Sequence, residues 1–139
     1  MKRYLLDTGV AADYINRRAG VYARARQALT EGARLGLCAP VLGELWDGVF
    51  FSATRGFNEA LLKRHLSHFA IWPFDQVAAV EYGRLAAELR RRGRAVQQID
   101  IQVAAIALTL ADCTVVSKDS DLLDVPRLTV ENWAQSDAA

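Results

Sequence analysis

Short apolar runs alternate with longer helix-patterned segments along most of this chain, and that alternation leaves few architectures open. Arg3, Tyr4, Leu5 and Leu6 form an apolar run that stops at Asp7-Thr8-Gly9, a strand leading into a turn. Helices are expected over residues 10–17 and 21–33. A brief strand over 37–39 precedes Pro40, which suits the first turn of a helix running to about residue 52. A further helix over 57–69 leads to a strand over 70–74. Asp75 can cap the helix over 77–92, which Gly93 closes. Asp100 opens a helix over 101–110. A buried strand over 114–116 runs into Ser117-Lys118-Asp119, and a last strand over 128–130 follows Pro126. Strands alternating with helices predict an α/β fold, a parallel sheet covered by helices on both faces.

At 139 residues the chain has the length of one domain, 1–139, with no linker, repeat or low-complexity segment. Its 52% hydrophobic and 24% charged residues describe a chain that folds. Seventeen basic residues against 16 acidic ones give a formal net charge of +1, which excludes a polycation that binds nucleic acid by bulk charge. Asp7 interrupts the only run that could start a signal peptide. The longest apolar stretch, residues 103–111, is too short to span a bilayer. A soluble cytoplasmic protein is expected, with Cys38 and Cys113 as buried reduced thiols.

Carboxylates fall where such a sheet gathers chemistry, at the carboxyl ends of its strands. Asp7 ends the first strand, Glu44 lies early in the helix after the second, Asp100 starts a helix, and Asp119 and Asp121 follow the strand over 114–116. Each alone has an ordinary explanation as a cap or turn residue. Glu44 is the hardest to explain that way, because it sits among Leu42, Leu45 and Trp46 and an unpaired carboxylate in an apolar setting is costly. Together these groups must be protonated or share a cation. An all-oxygen donor set selects Mg2+ or Mn2+ over Zn2+. Such an ion beside phosphate-binding helix N-termini makes a phosphoryl-transfer or phosphodiester-hydrolysis site.

With these residues in place, nearly the whole chain resembles the PIN-domain ribonucleases, specifically the VapC-type toxins of bacterial toxin–antitoxin pairs. The segment from Tyr4 through Asp7-Thr8 to Val10 is similar to the family's opening strand and first acid. Pro40 to Leu45 matches the second-acid helix, Ile99 to Ala107 the third-acid helix, and Val115 to Leu122 the fourth-acid loop. Leu128 to Trp133 is a common ending. The resemblance implies a three-layer sandwich, a mostly parallel twisted sheet flanked by helices. It implies that Asp7, Glu44, Asp100 and Asp119 hold one or two Mg2+ or Mn2+ ions, with Asp121 near a less constant fifth acid. Thr8 and Ser117 fall on hydroxyl positions that orient the first acid or water. The implied activity is metal-dependent endoribonuclease action that inhibits translation, and the implied partners are RNA, a VapB-type antitoxin and a second copy of the chain. Ser117 stands where threonine is commoner. Lys118 stands where a small or amide residue is usual, within reach of phosphate or the neighbouring acids. Gln97-Gln98 stand where glycine is frequent.

Other readings account for less. Asp7-Thr8-Gly9 spells the aspartic-protease triplet, but those enzymes are all-β and pair two triplets. Phosphatases of the haloacid-dehalogenase type need a second aspartate where Gly9 stands, and no glycine-rich phosphate loop is present. His65 and His68 have a metal-like spacing with no third ligand in view. Arg90, Arg91, Arg92 and Arg94 could be a solvated helix end, or Arg94 could touch RNA beside Asp100. Trp46, Val49, Phe50 and Phe51 make a helix apolar enough to serve both core and partner. Two competing classes are a catalytically silent PIN-like module that binds RNA or protein, and an RNA-processing nuclease with no antitoxin. The first would be favoured by loss of any one acid; the second is separated by whether a small antitoxin gene lies upstream.

Overall fold

Tyr4, Leu5 and Leu6 are buried on a strand with neighbours on both sides, so the first apolar run of the sequence forms the middle of the sheet. A computed structural model describes residues 1–135. The strands are β1 (Arg3–Leu6), β2 (Arg34–Cys38), β3 (Ala70–Trp72), β4 (Cys113–Val116) and β5 (Val130–Glu131). They form one sheet in the order β3-β2-β1-β4-β5, and every pairing is parallel. Leu5 lies opposite Gly36 on one side and Val115 on the other.

The helices are α1 (Thr8–Ile15), α2 (Val21–Thr30), α3 (Ala39–Phe51), α4 (Arg55–Leu66), α5 (Gln76–Arg91) and α6 (Gln98–Thr109). Parallel crossovers are right-handed almost without exception. The outward steps β1→β2→β3 therefore put α1 to α4 on one face, and the return to β4 puts α5 and α6 on the other. Most helix contacts follow this division, with α1 touching α2, α3 and α4 and α5 packing along α6, while α3 also meets α6. The expected three-layer α/β arrangement is the one observed. Among the described residues, no helix is long and apolar enough to cross a membrane.

Local chemistry sets the element ends. Pro40 occupies the first turn of α3, where its missing N–H costs nothing. Asp75 caps α5, its side chain accepting from the Ala78 N–H at 2.9 Å. Gly93, at φ +69°, supplies the left-handed residue that stops α5. Several boundaries differ from the sequence reading by one to three residues, and three of them have a clear local cause. β2 begins at Arg34, because the Arg34 N–H donates to the Lys2 carbonyl and extends the pairing past Gly36. β3 stops at Trp72, since Pro73 has no ladder donor. α6 begins at Gln98, so Asp100 lies inside its first turn and does not open it. Cys38 is buried and Cys113 half-buried, and burial pushes each free thiol up to about 11.

β2 carries an unusual restriction. The Trp72 indole lies over Gly36, so close that a Cβ on Gly36 would fall 2.3 Å from the ring. Gly36→Ala is expected to displace the indole from the sheet and cost about 1–3 kcal/mol, the range for overpacking. A thermal melt reads this directly; an unchanged Tm would mean that Trp72 moves aside without loss.

Candidate active site

The chain steps outward from β1 to β3 and then returns to lay β4 on the other side of β1. The strand order therefore switches between β1 and β4, and a crevice is expected beyond their carboxyl ends. Asp7 directly follows β1, and Ser117 directly follows β4. The Asp7 N–H donates to the Val116 carbonyl at 3.1 Å, which ties the two strand ends together.

Asp7 has two jobs in this structure. As N-cap of α1, its Oδ1 accepts from the Val10 N–H at 2.9 Å. Its Oδ2 accepts a hydrogen bond from the Ser117 hydroxyl. Burial raises the Asp7 pKa, and the hydrogen bonds from Ser117 and Val10 oppose that rise. Ser117 Oγ also accepts from the Asp119 N–H at 2.9 Å, so one buried hydroxyl holds two of the acids in register. Asp119 caps the 3-10 turn Ser120–Asp124 through the Asp121 N–H at 2.9 Å.

Asp100 is different, because the capping explanation fails for it. Gln97 is the N-cap of α6, and Asp100 is buried in the helix's first turn. Among the described residues its Oδ2 is a buried oxygen with no hydrogen-bond partner. Carboxylate oxygens of Asp100, Asp119 and Asp121 lie within 4.8 Å of one another. The N-terminal end of a helix favours a negative charge by about 0.3–1 kcal/mol. Burial outweighs that benefit and, with the neighbouring charges of Asp119, Asp7 and Asp121, pushes the Asp100 pKa up to about 6.

Glu44 completes the group from the opposite face. It projects from α3, is exposed, and accepts a hydrogen bond from the Thr8 hydroxyl. The apolar setting expected for it is therefore not found; the carboxylate turns away from Leu42 and Leu45 to the rim of the crevice. Asp7, Thr8, Glu44, Gln97 and Asp100 line a cavity of about 160 Å³. Asp100 belongs both to this wall and to the Asp119–Asp121 cluster.

The other sequence candidates lie elsewhere. Arg94 pairs with Asp124 and lines a separate depression with Tyr82, Arg90 and Val96. Arg92 pairs with Glu88 at 2.9 Å along α5. His65 is buried with its Nδ1 on the Leu61 carbonyl, and His68 Nδ1 meets the Tyr14 hydroxyl at 2.8 Å, so both belong to an aromatic cluster around Tyr14. Lys118 reaches Asp13, a buried residue of α1 that the sequence reading overlooked. A carboxylate at a position flanked by Val10, Ala11, Tyr14 and Ile15 was the available signal, since such a group needs a partner.

The donor set fits a hard divalent cation. Every group is an oxygen, the carboxylates repel one another, and one oxygen is buried without a partner. A proton or a cation relieves that arrangement, and at neutral pH a proton is held only by a group whose pKa has been raised far enough.

Comparison with known proteins gives the same direction. The PIN domain family model matches residues 4–128. The chain is 28% identical over 130 residues to Ribonuclease VapC2 of Rickettsia felis, covering 94% of this chain and 97% of that protein. It is 29% identical to the tRNA(fMet)-specific endonuclease VapC of Shigella flexneri, covering 96% and 100%. Among solved structures it is similar to VapBC2 from Rickettsia felis bound to a promoter DNA fragment, with a TM-score of 0.87, 26% identity, and 94% and 98% of the two chains covered.

Proposed function

Since the chain belongs to the PIN-domain family, we propose that it is a metal-dependent endoribonuclease of the VapC type, the toxin of a toxin–antitoxin pair, built as one domain over residues 1–139. The observation that carries this reading is the unpartnered buried oxygen of Asp100, set among carboxylates from three other elements at the switch point of the sheet. Asp7, Glu44, Asp100 and Asp119 would hold one or two Mg2+ or Mn2+ ions, with Asp121 in support. A bound ion supplies Lewis acidity and an activated water for in-line attack on phosphorus. Ser117 orients Asp7 and Asp119 through its hydroxyl, and Thr8 orients Glu44.

RNA is the substrate in this reading. Arg94 is an exposed candidate for a backbone contact, because an exposed ion pair such as Arg94–Asp124 is worth only about 0–1 kcal/mol and exchanges readily for a phosphate. A VapB-type antitoxin and a homodimer are the expected assembly. In support, α1, α3 and α4 enclose a groove of about 240 Å³ lined by Ala12, Ile15, Leu45, Val49, Leu61 and Leu62. The same helices present Phe50, Phe51 and Phe57 to solvent, with Phe51 92% exposed. Cleavage of RNA with inhibition of translation places the work in the cytoplasm.

The test is RNA cleavage by the purified protein with Mg2+, with Mn2+ and with chelator, alongside Asp7→Asn. Cleavage that needs the ion and falls at least about 100-fold in the variant is the expected result; outer-shell partners alone typically contribute 10–100-fold. Tight metal-independent RNA binding without cleavage would assign the chain to the silent binding modules.

A further inference from the structure

Asp13 lies in α1 beside Val10, Ala11, Tyr14 and Ile15, all of them buried, and is itself 6% exposed. A carboxylate there needs a counter-charge. It comes from Lys118, whose Nζ sits 2.7 Å from Asp13 Oδ2. The lysine stem crosses the first turn of α1: its Cε would lie 3.9 Å from a Cβ on Gly9.

Lys118 stands between the two residues that organise the acids. Ser117 holds Asp7 Oδ2 and the Asp119 N–H, and Asp119 belongs to the carboxylate cluster. Asp7 is the N-cap of the same helix that carries Asp13. The segment after β4 is therefore attached to α1 at two points, Ser117 to Asp7 at the helix start and Lys118 to Asp13 more than a turn later. One attachment would leave the segment free to pivot; two fix its direction. A phosphate reaching the ammonium would have to share it with a buried carboxylate, which weakens that pair.

We propose that Lys118 is a positioning residue: its ion pair with buried Asp13 clamps the Ser117–Asp119 segment onto α1 and keeps Asp119 in register with Asp7 for a divalent cation. The function assigned to the clamp rests on the nuclease reading above, but the clamp is measurable without RNA.

The experiment compares Lys118→Met, Lys118→Arg, Asp13→Asn and the double variant Lys118→Met/Asp13→Asn with the full wild-type chain. Mn2+ affinity is measured by calorimetry with the metal alone, and exchange of the Asp119 amide is followed in metal-free protein. Lys118→Met is expected to lower Mn2+ affinity about tenfold, the lower end for a group that orients ligands. It should also speed Asp119 amide exchange. Lys118→Arg should restore both. The double variant should be no weaker than the single ones, because the two side chains act as one unit. In cleavage the loss should appear in kcat at limiting metal, with KM for RNA unchanged. A raised KM with unchanged Mn2+ affinity would overturn the clamp in favour of a phosphate contact. Unchanged affinity and exchange in Lys118→Met would overturn it outright. If Asp13→Asn does not fold, the Lys118→Met and Lys118→Arg pair decides alone. A wild type that binds Mn2+ yet cuts no RNA removes the nuclease reading and leaves the clamp standing.

Discussion

Asparagine at position 100 is expected to stabilise the metal-free protein at pH 7, to abolish its stabilisation by Mn2+, and to cut RNA cleavage by at least about 100-fold. The three effects share one cause. The folded protein holds the Asp100 pKa up to about 6, from an ordinary 3.8, because the carboxylate is buried beside other carboxylates. Between those two values the folded state binds more protons than the unfolded state. Stability is therefore lost as pH rises through that window and stays lower above it. Each pKa unit corresponds to about 1.4 kcal/mol. Solvent reaching the exposed Asp119 side of the cluster screens part of this, leaving about 1–2 kcal/mol for Asp100→Asn to recover at pH 7. Near pH 4 the difference between variant and wild type should vanish. Melting curves at pH 4 and 7, with Mn2+ and with chelator, check all of it. A variant less stable than wild type at pH 7 in chelator would mean that Asp100 makes a favourable contact in the metal-free fold.

Mn2+ affinity should fall about tenfold between pH 7 and pH 5. A cation takes only the ionised carboxylate, so below a pKa of about 6 it competes with a proton for Asp100. Burial raises the Asp7 pKa as well, which acts in the same direction. Calorimetry in two buffers of different ionisation enthalpy counts the protons released on binding at pH 5.5. Proton release with a falling affinity is the expected outcome. An affinity flat across this range would take Asp100 out of the ligand set. The same acidification that weakens metal binding should make the empty protein more stable, so the two curves cross in opposite directions. That opposition separates a metal site from a general acid-labile fold.

Much of this was legible in the sequence because strand ends are marked by sharp transitions. Leu6-Asp7-Thr8 and Val116-Ser117-Lys118 pass from buried strand to polar turn in one residue, and both ends point to the same edge. The order of strands was not legible, since nothing in the residues themselves says that β4 returns beside β1. Asp100 looked like a helix cap, and only the position of Gln97 as N-cap shows that its carboxylate is inside. Glu44 was singled out for burial that it does not have, because side-chain direction on α3 is decided by packing and not by sequence neighbours. Arg94 lies six residues from Asp100 in sequence, yet its partner is Asp124, which the 3-10 turn brings round. The Lys118–Asp13 pair spans 105 residues and leaves no local pattern to read.

The order in which the carboxylates occur along the chain has a consequence for synthesis. Asp7 and Glu44 emerge early, but Asp100 and Asp119 come from the last third of the chain, and β4 must dock on β1 before Asp119 joins the others. A ribosome that has made the first hundred residues carries no assembled pocket beside its own RNA. On the nuclease reading proposed above, the chemistry is withheld until the polypeptide is nearly finished.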